Sequence, residues 1–529
     1  MKFFSTLILC FFVTTVSFSQ VQKLQQLSSG ELISSRIIYE ENHRDVFGYF
    51  LLYKIDKTSS TFYELEYVVL DKNINKITSG VFNQGVSSLL GRSGPYVSFV
   101  KKIDEMIYFG MYDYDFIGYF SDYISQHLNP RFRTINLNDF SISPEIIIKD
   151  SKVVENENVE REDLRRRNNK DNQMLYPTKS DYFVVFGGTD RGYRHLGNAR
   201  AQLERFKSSE RKMMVLDKNL QEVWSVDINK DKEKFEHYYF DSDQHTLIIQ
   251  KVGVGRKRSS LMEAFHYDIY DIHTGKLIGT MTNTDPNYTW AHNQIYYTDD
   301  EIVFFCFLRP KKMKKFNSEK TLGYVKVVLD KATGKETKRD YLLWENLQPH
   351  LTFSNKYGMK KRYGQLIAQE FIPLNNGNII GVFEGYKFSK NSEILDIFIM
   401  EFDPNMKVKY FNKIEKIKTK LRNAKFSGYY LKQNGYMDYY YSQPLDDDGN
   451  HVILFSNNER EGSRHARRRK PDWSLGIVTY VDGAYNYDKL QLTKEDGMVL
   501  PFKAKNGFIL LSEFSESGNN ELRLERINY

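Results

Sequence analysis

Short apolar runs separated by turn residues recur along the whole chain. One recurring unit is a turn rich in Asp, Asn and Gly that is followed by a continuous apolar run. This first unit occurs at 181–187, 244–249, 300–305, 376–383, 448–455 and 506–511. Such a pattern is typical of a hairpin turn that leads into a buried β-strand.

A second unit usually follows the first. It is an alternating apolar and polar strand that ends in Asp and a turn. Copies are found at 214–219, 267–275, 327–334 and 399–405, with further ones at 68–73 and 477–483. An Asp side chain accepts backbone hydrogen bonds in such a turn, and the Gly or Asn that follows tolerates positive φ. The pair of units therefore repeats from one end of the chain to the other.

The repeat predicts an all-β fold, a β-propeller of about seven (seven or eight) four-stranded blades in residues 20–529. Six pairs of units follow residue 179, and residues 31–150 have room for one or two more. The alternative is two β-sandwich-like domains, because short strands separated by turns suit both folds.

Two segments have helical character, 198–212 and 155–173, and the second lies within a predicted charged loop or linker near 151–175. The last strand, 521–527, alternates as an edge strand does. We expect it to close the ring near the N-terminal blade, with 36–39 as its candidate neighbour.

The N-terminus resembles an export signal. A basic start is followed by an apolar run, 3–16, and by small residues at Ser17 and Ser19, which predicts a signal peptide spanning residues 1–19. The run is shorter than the roughly 18 apolar residues that span a bilayer, so we expect no transmembrane segment after cleavage. We expect an exported protein that is periplasmic, on the outer surface or extracellular.

Composition agrees with a large β-rich core. Tyr and Phe number 37 each, and these rings pack well on pleated sheets. Removal of residues 1–19 leaves one cysteine, Cys306, in the apolar stretch 302–308, so an intramolecular disulfide is excluded. A thiol in such a run is predicted to be a small buried hydrophobic group rather than a nucleophile.

The turns at 271–275 and 330–334, together with Trp224 after Asp217, resemble the Asp-x-x-Thr-Gly turns of quinoprotein-like propellers. Most copies lack the tryptophan that follows those turns, so this resemblance implies the fold and not a quinone cofactor. The chain, rich in Lys, Asn, Ile and Tyr, also resembles uncharacterised secreted propeller-like proteins of the Bacteroidetes. That resemblance implies no activity.

Positive charge is concentrated in five segments that connect the first unit to the second: 191–212, 256–258, 309–315, 387–390 and 460–470. If the two units are adjacent antiparallel strands, these segments leave the disc on one face. The predicted anion-binding residues are Arg191, Arg194, Arg256, Lys257, Arg258, Lys311, Lys312, Lys314, Lys315, Arg464, Arg467, Arg468 and Arg469. The alternative is that long solvated loops are basic without binding anything.

We predict an exported, noncatalytic binding or scaffold protein whose basic face binds an anionic polysaccharide, lipopolysaccharide or an acidic protein. In an exported protein these partners are favoured over nucleic acid. Aromatic residues in or beside the basic segments are candidates for stacking on sugars; they are Tyr193, His195, Phe316, Tyr386 and Phe388. The alternative function is a carbohydrate-active hydrolase or lyase with paired carboxylates near the propeller axis.

Known enzyme motifs are not matched. The glycine pair Gly253 and Gly255 lacks the third glycine of a dinucleotide site, so no cofactor is predicted. The histidines are scattered, with His43, His195, His237, His245 and His292 interpreted as structural, and no metal site is predicted. The segment 446–450 holds clustered Asp residues but lacks the spacing of a calcium loop, and we interpret it as a tight hairpin.

Overall fold

The structure is a computed structural model of the chain. The residues that it describes are 20–59, 62–85, 95–113, 131–149, 152–156, 175–187, 212–228, 235–253, 265–282, 285–311, 321–351, 364–387, 392–421, 428–433, 435–457, 473–492, 497–515 and 520–527.

The strands form eight antiparallel sheets that follow one another along the chain, which is the architecture of an eight-bladed β-propeller. Blade 1 contains β2 (Glu31–Tyr39), β3 (Val46–Ser59), β4 (Phe62–Asp71) and β5 (Lys76–Gly85). Blade 2 contains β6 (Pro95–Ile103), β7 (Met106–Asp113), β8 (Arg131–Asn136), β9 (Glu145–Lys149) and β10 (Lys152–Asn156). Blade 3 contains β11 (Leu175–Pro177), β12 (Phe183–Gly187), β13 (Lys212–Leu216) and β14 (Glu222–Asp227). Blade 4 contains β15 (Phe235–Ser242), β16 (Thr246–Gly253), β17 (Phe265–Asp271) and β18 (Leu277–Thr282).

The second half of the chain repeats this plan. Blade 5 contains β19 (Tyr288–Tyr297), β20 (Glu301–Pro310), β21 (Gly323–Asp330) and β22 (Glu336–Leu343). Blade 6 contains β23 (Gln365–Pro373), β24 (Ile379–Lys387), β25 (Ser392–Phe402), β26 (Val408–Ile414) and β27 (Thr419–Leu421). Blade 7 contains β28 (Tyr439–Pro444), β29 (His451–Ser456), β30 (Trp473–Val481) and β31 (Ala484–Leu492). Blade 8 contains β32 (Gly497–Lys503), β33 (Phe508–Ser515), β34 (Glu521–Arg526) and, as its outermost strand, β1 (Gln20–Lys23).

Helix is scarce among the described residues. There are two short α-helices, α1 (Leu24–Leu27) and α2 (Gly428–Gln433), and one 3-10 helix, Trp344–Leu347. None of them has the length and hydrophobicity that a membrane crossing requires. Of the two predicted helices, 198–212 lies outside the described residues except for Lys212, which starts a strand. Of the predicted charged segment, 152–156 is the extra strand of blade 2 and 157–174 lies outside the described residues.

The all-β prediction is confirmed, but the prediction of about seven blades is wrong, because the chain forms eight. The six pairs of units found after residue 179 correspond to blades 3 to 8, and residues 31–156 form two blades rather than one. Blade 2 was hard to recognise because its third strand ends in Asn136 instead of Asp. The Asn136 side chain accepts the hydrogen bond from the Asn138 N–H, 2.9 Å away, that Asp accepts in the other blades. The alternative of two β-sandwiches is also wrong.

The ring is closed by the two ends of the described chain. Strand β1 pairs with β34 in antiparallel register, with Gln22 opposite Leu522. The predicted neighbour of β34, residues 36–39, instead belongs to the innermost strand of blade 1. Blade 8 is therefore built from one strand at the start of the described chain and three strands at its end.

The Asp turns form as predicted. The Asp217 carboxylate accepts hydrogen bonds from the backbone N–H groups of Asn219 (2.8 Å) and Gln221 (2.9 Å). Gly275 and Gly334 have φ of +72° and +65°, a region that favours glycine. These side chains satisfy backbone donors that a tight turn would otherwise leave unpaired.

The hydrophobic core lies between neighbouring blades, where apolar side chains of adjacent sheets meet. One such cluster joins Ile248 and Tyr267 of blade 4 to Phe304 of blade 5, and Cys306 lies within it, fully buried. Burial raises the pKa of the Cys306 thiol, as expected for a structural rather than a reactive cysteine.

The innermost strands share an irregularity. Six of them, in blades 1, 2, 4, 5, 6 and 7, carry a one-residue register shift against the second strand of the blade; the skipped residues are Ile33, Ser98, Phe240, Asn293, Gln369 and Tyr440. Bulges of this kind bend a strand and redirect a side chain. Just after the bulge of blade 5, the Gln294 amide pairs with the backbone of Phe371 in blade 6, donating over 2.8 Å and accepting over 2.7 Å.

Candidate functional site

The five basic segments connect the second strand to the third strand in blades 3 to 7. The connections are residues 188–211, 254–264, 311–322, 388–391 and 457–472. Since all blades have the same antiparallel order, connections between second and third strands leave the disc on one side, called here the upper face. Turns between first and second strands lie on the opposite side, the lower face.

Charge is sorted between these two faces. The five upper-face connections contain 21 Lys and Arg against 8 Asp and Glu, although the whole chain has a net charge of only +7. The lower-face turns that join first and second strands are 40–45, 104–105, 178–182, 243–245, 298–300, 374–378, 445–450 and 504–507. They contain 12 Asp and Glu against 3 Lys and Arg. The turns that join third and fourth strands on the same face are 72–75, 137–144, 217–221, 272–276, 331–335, 403–407 and 482–483, and they contain 4 Asp and Glu against 6 Lys and Arg. The lower face is therefore acidic in its first-to-second turns, while the sequence of the five upper-face connections is basic.

Of the thirteen predicted anion-binding residues, Lys311 is described. Its side chain is exposed, and its Nζ donates a 2.9 Å hydrogen bond to the Asp285 carbonyl. The other twelve lie outside the described residues: Arg191, Arg194, Arg256, Lys257, Arg258, Lys312, Lys314, Lys315, Arg464, Arg467, Arg468 and Arg469. Their anion-binding role stays a prediction.

Other residues of the basic segments have structural contacts. Arg309 is 6% exposed, and its guanidinium lies 4.8 Å from the centre of the Phe307 ring. Lys212 forms a 3.0 Å ion pair with Glu222. Tyr386, considered as a sugar-stacking residue, is 1% exposed and packs against Leu431 and Met437, so that prediction is wrong. Tyr193, His195, Phe316 and Phe388 lie outside the described residues.

The densest group of buried charges lies between blades 6 and 7. Glu384 of β24 and Lys416, which follows β26, are both fully buried, and their carboxylate and ammonium groups are 3.7 Å apart. The Lys416 ammonium also contacts the Asp438 carboxylate, just before β28. The Glu384 carboxylate accepts hydrogen bonds from the backbone N–H groups of Asp438 (3.1 Å) and Tyr439 (3.3 Å). The group therefore ties the end of one blade to the first strand of the next.

The pKa of Glu384 is raised to about 8, first because burial disfavours the charged carboxylate and second because the Asp438 charge repels it. Lys416 opposes this shift. When both carboxylates are ionised, the two of them and the single ammonium carry a net charge of −1. A proton on one carboxylate removes this buried charge, so the group binds a proton readily.

A second polar group adjoins the first, closer to the propeller axis. The Tyr439 hydroxyl donates to the Glu370 carboxylate, which also accepts a 2.8 Å hydrogen bond from Ser442. Helix α2 places Lys432 against the innermost strands of blades 5 and 6. There its ammonium donates to Asn293 Oδ1 (2.7 Å) and to the Ala368 carbonyl (2.8 Å).

Burial lowers the pKa of Lys432 to about 7, against the opposing effect of the Glu370 charge. Two amide donors in this region, Asn293 Nδ2 and Gln369 Nε2, are buried without a hydrogen-bond partner among the described residues. Both belong to the skipped positions of inner-strand bulges, which places polar side chains next to the axis.

These groups have the shifted pKa values that active sites often show, but shifted values also arise in structural ion pairs. Glu384 and Lys416 have no exposed side-chain surface. A substrate would have to separate blades 6 and 7 to reach them. The arrangement therefore fixes two blades together, and we assign it a structural role.

The Asp-rich turn 446–450 is a hairpin turn, as predicted. The Asp446 carboxylate accepts hydrogen bonds from the N–H groups of Asp448 (3.0 Å) and Asn450 (3.3 Å) and from the Asn450 side chain (2.8 Å). Within the described part of the chain, no group of three or more His, Cys, Asp or Glu side chains is placed to hold a metal ion.

Comparison with known proteins finds solved structures that are similar to this chain, but it assigns the chain to no family. No protein-family model and no curated protein matches the chain. Among solved structures, the β-propeller domain of the Trilobed protease from Pyrococcus furiosus is 10% identical, with 82% of this chain and 96% of that chain covered and a TM-score of 0.33. A polysaccharide lyase of family PL25, an ulvan lyase, is 11% identical, with 81% and 91% covered and a TM-score of 0.36. A prolyl endopeptidase is 9% identical, with 89% and 54% covered and a TM-score of 0.35. These values carry no argument about function, and the propeller assignment rests on the strand order.

Sequence reasoning did not find the buried charges between blades 6 and 7, because Glu384 and Asp438 are 54 positions apart and meet only where the two blades pack together. One local signal was available. Glu384 is the single charged residue in the apolar strand 379–386, and a charge at a buried strand position requires a partner.

Proposed function

We propose that this chain is an exported, noncatalytic binding protein that uses its upper face to bind an anionic polysaccharide. The observation that carries the proposal is the sorting of charge by face, with basic connections in five successive blades and acidic turns on the opposite side. A field of one sign over one face attracts polyanions and raises their rate of encounter.

An extended polymer suits this arrangement better than a compact ligand. The basic connections join strands of five different blades, so they start and end at five positions around the disc. A polysaccharide that carries a charge on each repeat contacts several such connections at once, and weak contacts add up through multivalency. An acidic protein partner is the other outcome that the experiments below distinguish.

The alternative function, a hydrolase or lyase with paired carboxylates, receives less support. One pair of neighbouring carboxylates with a raised pKa, Glu384 and Asp438, lies between blades next to a buried lysine. Burial also raises the pKa of Asp241, near Asp243, and its carboxylate forms a 2.8 Å ion pair with Lys179. A glycosidase needs both carboxyl groups beside a bound sugar. Glu384 has no exposed surface for that contact.

Chromatography of residues 20–529 on a heparin-like sulfated polysaccharide resin tests the proposal. We expect retention at an ionic strength of about 0.15 M, where surface charges more than about 8 Å apart are largely screened and only a dense patch holds the polymer. Replacement of Arg467, Arg468 and Arg469 by Ser should lower the salt concentration needed for elution.

The matched control removes three positive charges from the lower face. Lys276, Lys335 and Lys407 are exposed in turns between third and fourth strands, and their replacement by Ser changes the net charge equally. Elution of this control at the wild-type salt concentration supports the proposal. Equal shifts for both triple variants would show that net charge alone causes retention, and passage of the wild type straight through would remove the polysaccharide as a ligand. If an acidic protein is retained on the immobilised chain and sulfated or carboxylated polysaccharides are not, the partner is a protein.

A further inference from the structure

Two exposed histidines face each other on the lower side of blade 4. His245 lies in the turn between β15 and β16, and His273 lies in the turn between β17 and β18. Their ring nitrogens, Nδ1 of His245 and Nε2 of His273, are 3.2 Å apart and form a hydrogen bond, whose shared proton a bound metal ion would displace. Both residues are exposed, so the pair lies at the surface of the blade.

The backbone holds both residues in place. The Asp243 carboxylate accepts a 3.0 Å hydrogen bond from the His245 N–H, and the Asp271 carboxylate accepts one of the same length from the His273 N–H. The two turns are joined directly, since the Ile272 N–H donates to the His245 carbonyl over 2.9 Å. The two turns therefore hold the backbones of His245 and His273 at a fixed separation.

The spacing fits a shared metal ion. Zinc binds imidazole nitrogen at about 2.0–2.1 Å, so two ligands at a tetrahedral angle have nitrogen atoms about 3.3–3.4 Å apart. The observed separation is within about 0.2 Å of that value. Water supplies the remaining ligands in an exposed site with two protein ligands.

A third residue orients one of the rings. The Tyr182 hydroxyl is 3.1 Å from His273 Nδ1, and its ring meets the His273 ring edge-on with centroids 5.5 Å apart. If the tyrosine oxygen accepts the Nδ1 proton, Nε2 presents its lone pair towards His245. Metal-binding histidines commonly donate their second N–H to an oxygen acceptor in this way, and that contact fixes the tautomer.

The charged groups around the two histidines are mixed in sign. Asp271 precedes His273 by two residues and contributes negative charge, whereas Asp243, which precedes His245 by two residues, is already paired with Lys331 over 2.5 Å. Negative charge near a site raises the local concentration of cations.

We propose that His245 and His273 bind one divalent ion of a late first-row transition metal, with Tyr182 as a positioning residue. Imidazole nitrogen suits zinc, copper and nickel, and it discriminates against calcium and magnesium, which prefer oxygen. Sequence reasoning interpreted His245 as structural because the two histidines are 28 positions apart and belong to no recognised spacing.

Isothermal titration of tag-free protein, residues 20–529, with Zn²⁺ tests this site. We expect saturable binding of one ion per chain, and loss of that binding in both His245→Ala and His273→Ala. Tyr182→Phe should weaken it about tenfold, the lower end of the effect of removing an orienting partner. Mg²⁺ in place of Zn²⁺ should give no heat of binding.

Blade 5 shows that the turn 271–275 can form with alanine in place of His273. Its equivalent turn, 330–334, has Ala332 in the position of His273, with the same Asp-to-Thr hydrogen bonds. His273→Ala should therefore melt at the wild-type temperature. His350→Ala removes another exposed histidine and should bind Zn²⁺ as the wild type does. Wild-type affinity in His273→Ala, or the absence of saturable Zn²⁺ binding by the wild type, would overturn the proposal.

Discussion

The roles of some residues can be predicted from the residues next to them in the sequence, and the roles of others cannot. Asp217 and Asp271 were recognised from the turn residues around them, because a turn is a local structure. Cys306 was recognised as buried because a continuous apolar run cannot remain in water. Glu384 was not recognised as a partner of Lys416 and Asp438, because only the contact of two blades brings them together.

Lys416 is the residue whose removal should have the largest effect on this group. In Lys416→Met, Glu384 and Asp438 remain buried without a compensating cation. Breaking a buried ion pair in this way costs about 3–5 kcal/mol. Urea denaturation at pH 7.5 should show a loss of that order in the free energy of unfolding.

The loss should depend on pH. Burial and Asp438 already raise the pKa of Glu384 to about 8, above the unfolded value of about 4.3, and loss of Lys416 raises it further. A carboxyl with a raised pKa favours the folded state below the unfolded pKa, and this stability is lost as pH rises towards the folded pKa. The difference between variant and wild type should therefore stay nearly constant from pH 4.5 to 7.5, where Glu384 holds its proton in both folded states, and should grow as the pH rises above about 8, where only the wild-type carboxyl ionises.

Lys218→Met is the matched control, because Lys218 forms an ion pair with Asp104 in which both side chains are more than half exposed. Exposed pairs contribute little to stability, so this variant should unfold close to the wild type at every pH. A Lys416→Met protein as stable as Lys218→Met at pH 7.5 would contradict the structural role of the buried pair.

At the scale of strands, the hydrophobic pattern identified the second and third strands of most blades, which are buried on both sides. The first and fourth strands were missed for different reasons. Inner strands such as β19 carry polar residues and a bulge that interrupts their alternation. Outer strands such as β22 are largely exposed and therefore polar. The blade count was wrong because it depended on the two blades where the recognisable strands are least regular.

Strand β1 makes a prediction about closure. It supplies the outermost strand of blade 8, and the following residues Leu24 and Leu27 are buried against Leu522 and Leu524. A chain that starts at Leu24 loses the backbone pairing of four residues, each net hydrogen bond contributing about 0.5–1.5 kcal/mol. We expect a loss of at least about 2 kcal/mol in the free energy of unfolding, measured by urea denaturation.

Val21→Ala is the control for this deletion, because the Val21 side chain is 47% exposed while its backbone pairs with β34. It should unfold at the wild-type urea concentration. If the shortened chain is as stable as this variant, pairing of β1 with β34 does not stabilise the ring.

The two faces of the molecule differ in the sign of their charge, which the small net charge of the whole chain does not reveal. The basic connections were recognised from sequence because they are long and contain runs such as 467–470. The acidic turns of the lower face were not, since six of the eight first-to-second turns contribute only one to three acidic residues each and the other two contribute none. Only the order of the strands shows that these turns lie on one side.

This arrangement predicts how the protein behaves on ion-exchange resins at pH 7. A uniformly charged protein of net charge +7 would pass through an anion exchanger. Below an ionic strength of about 0.1 M, the Debye length is about 10 Å or more but still short enough for a resin to respond mainly to the nearest face. The wild type should therefore be retained by both a cation exchanger and an anion exchanger. Replacement of Asp299, Asp300 and Glu105 by their amides should weaken retention on the anion exchanger.

The matched control replaces Glu210, Glu459 and Glu461, which belong to the upper-face connections, by Gln. It removes the same three negative charges from the opposite side of the disc. If the faces act separately, this control keeps the wild-type retention on the anion exchanger and binds the cation exchanger more tightly. Identical behaviour of the two triple variants on both resins would mean that the resins respond to net charge, and the case for a polyanion-binding upper face would lose its physical basis.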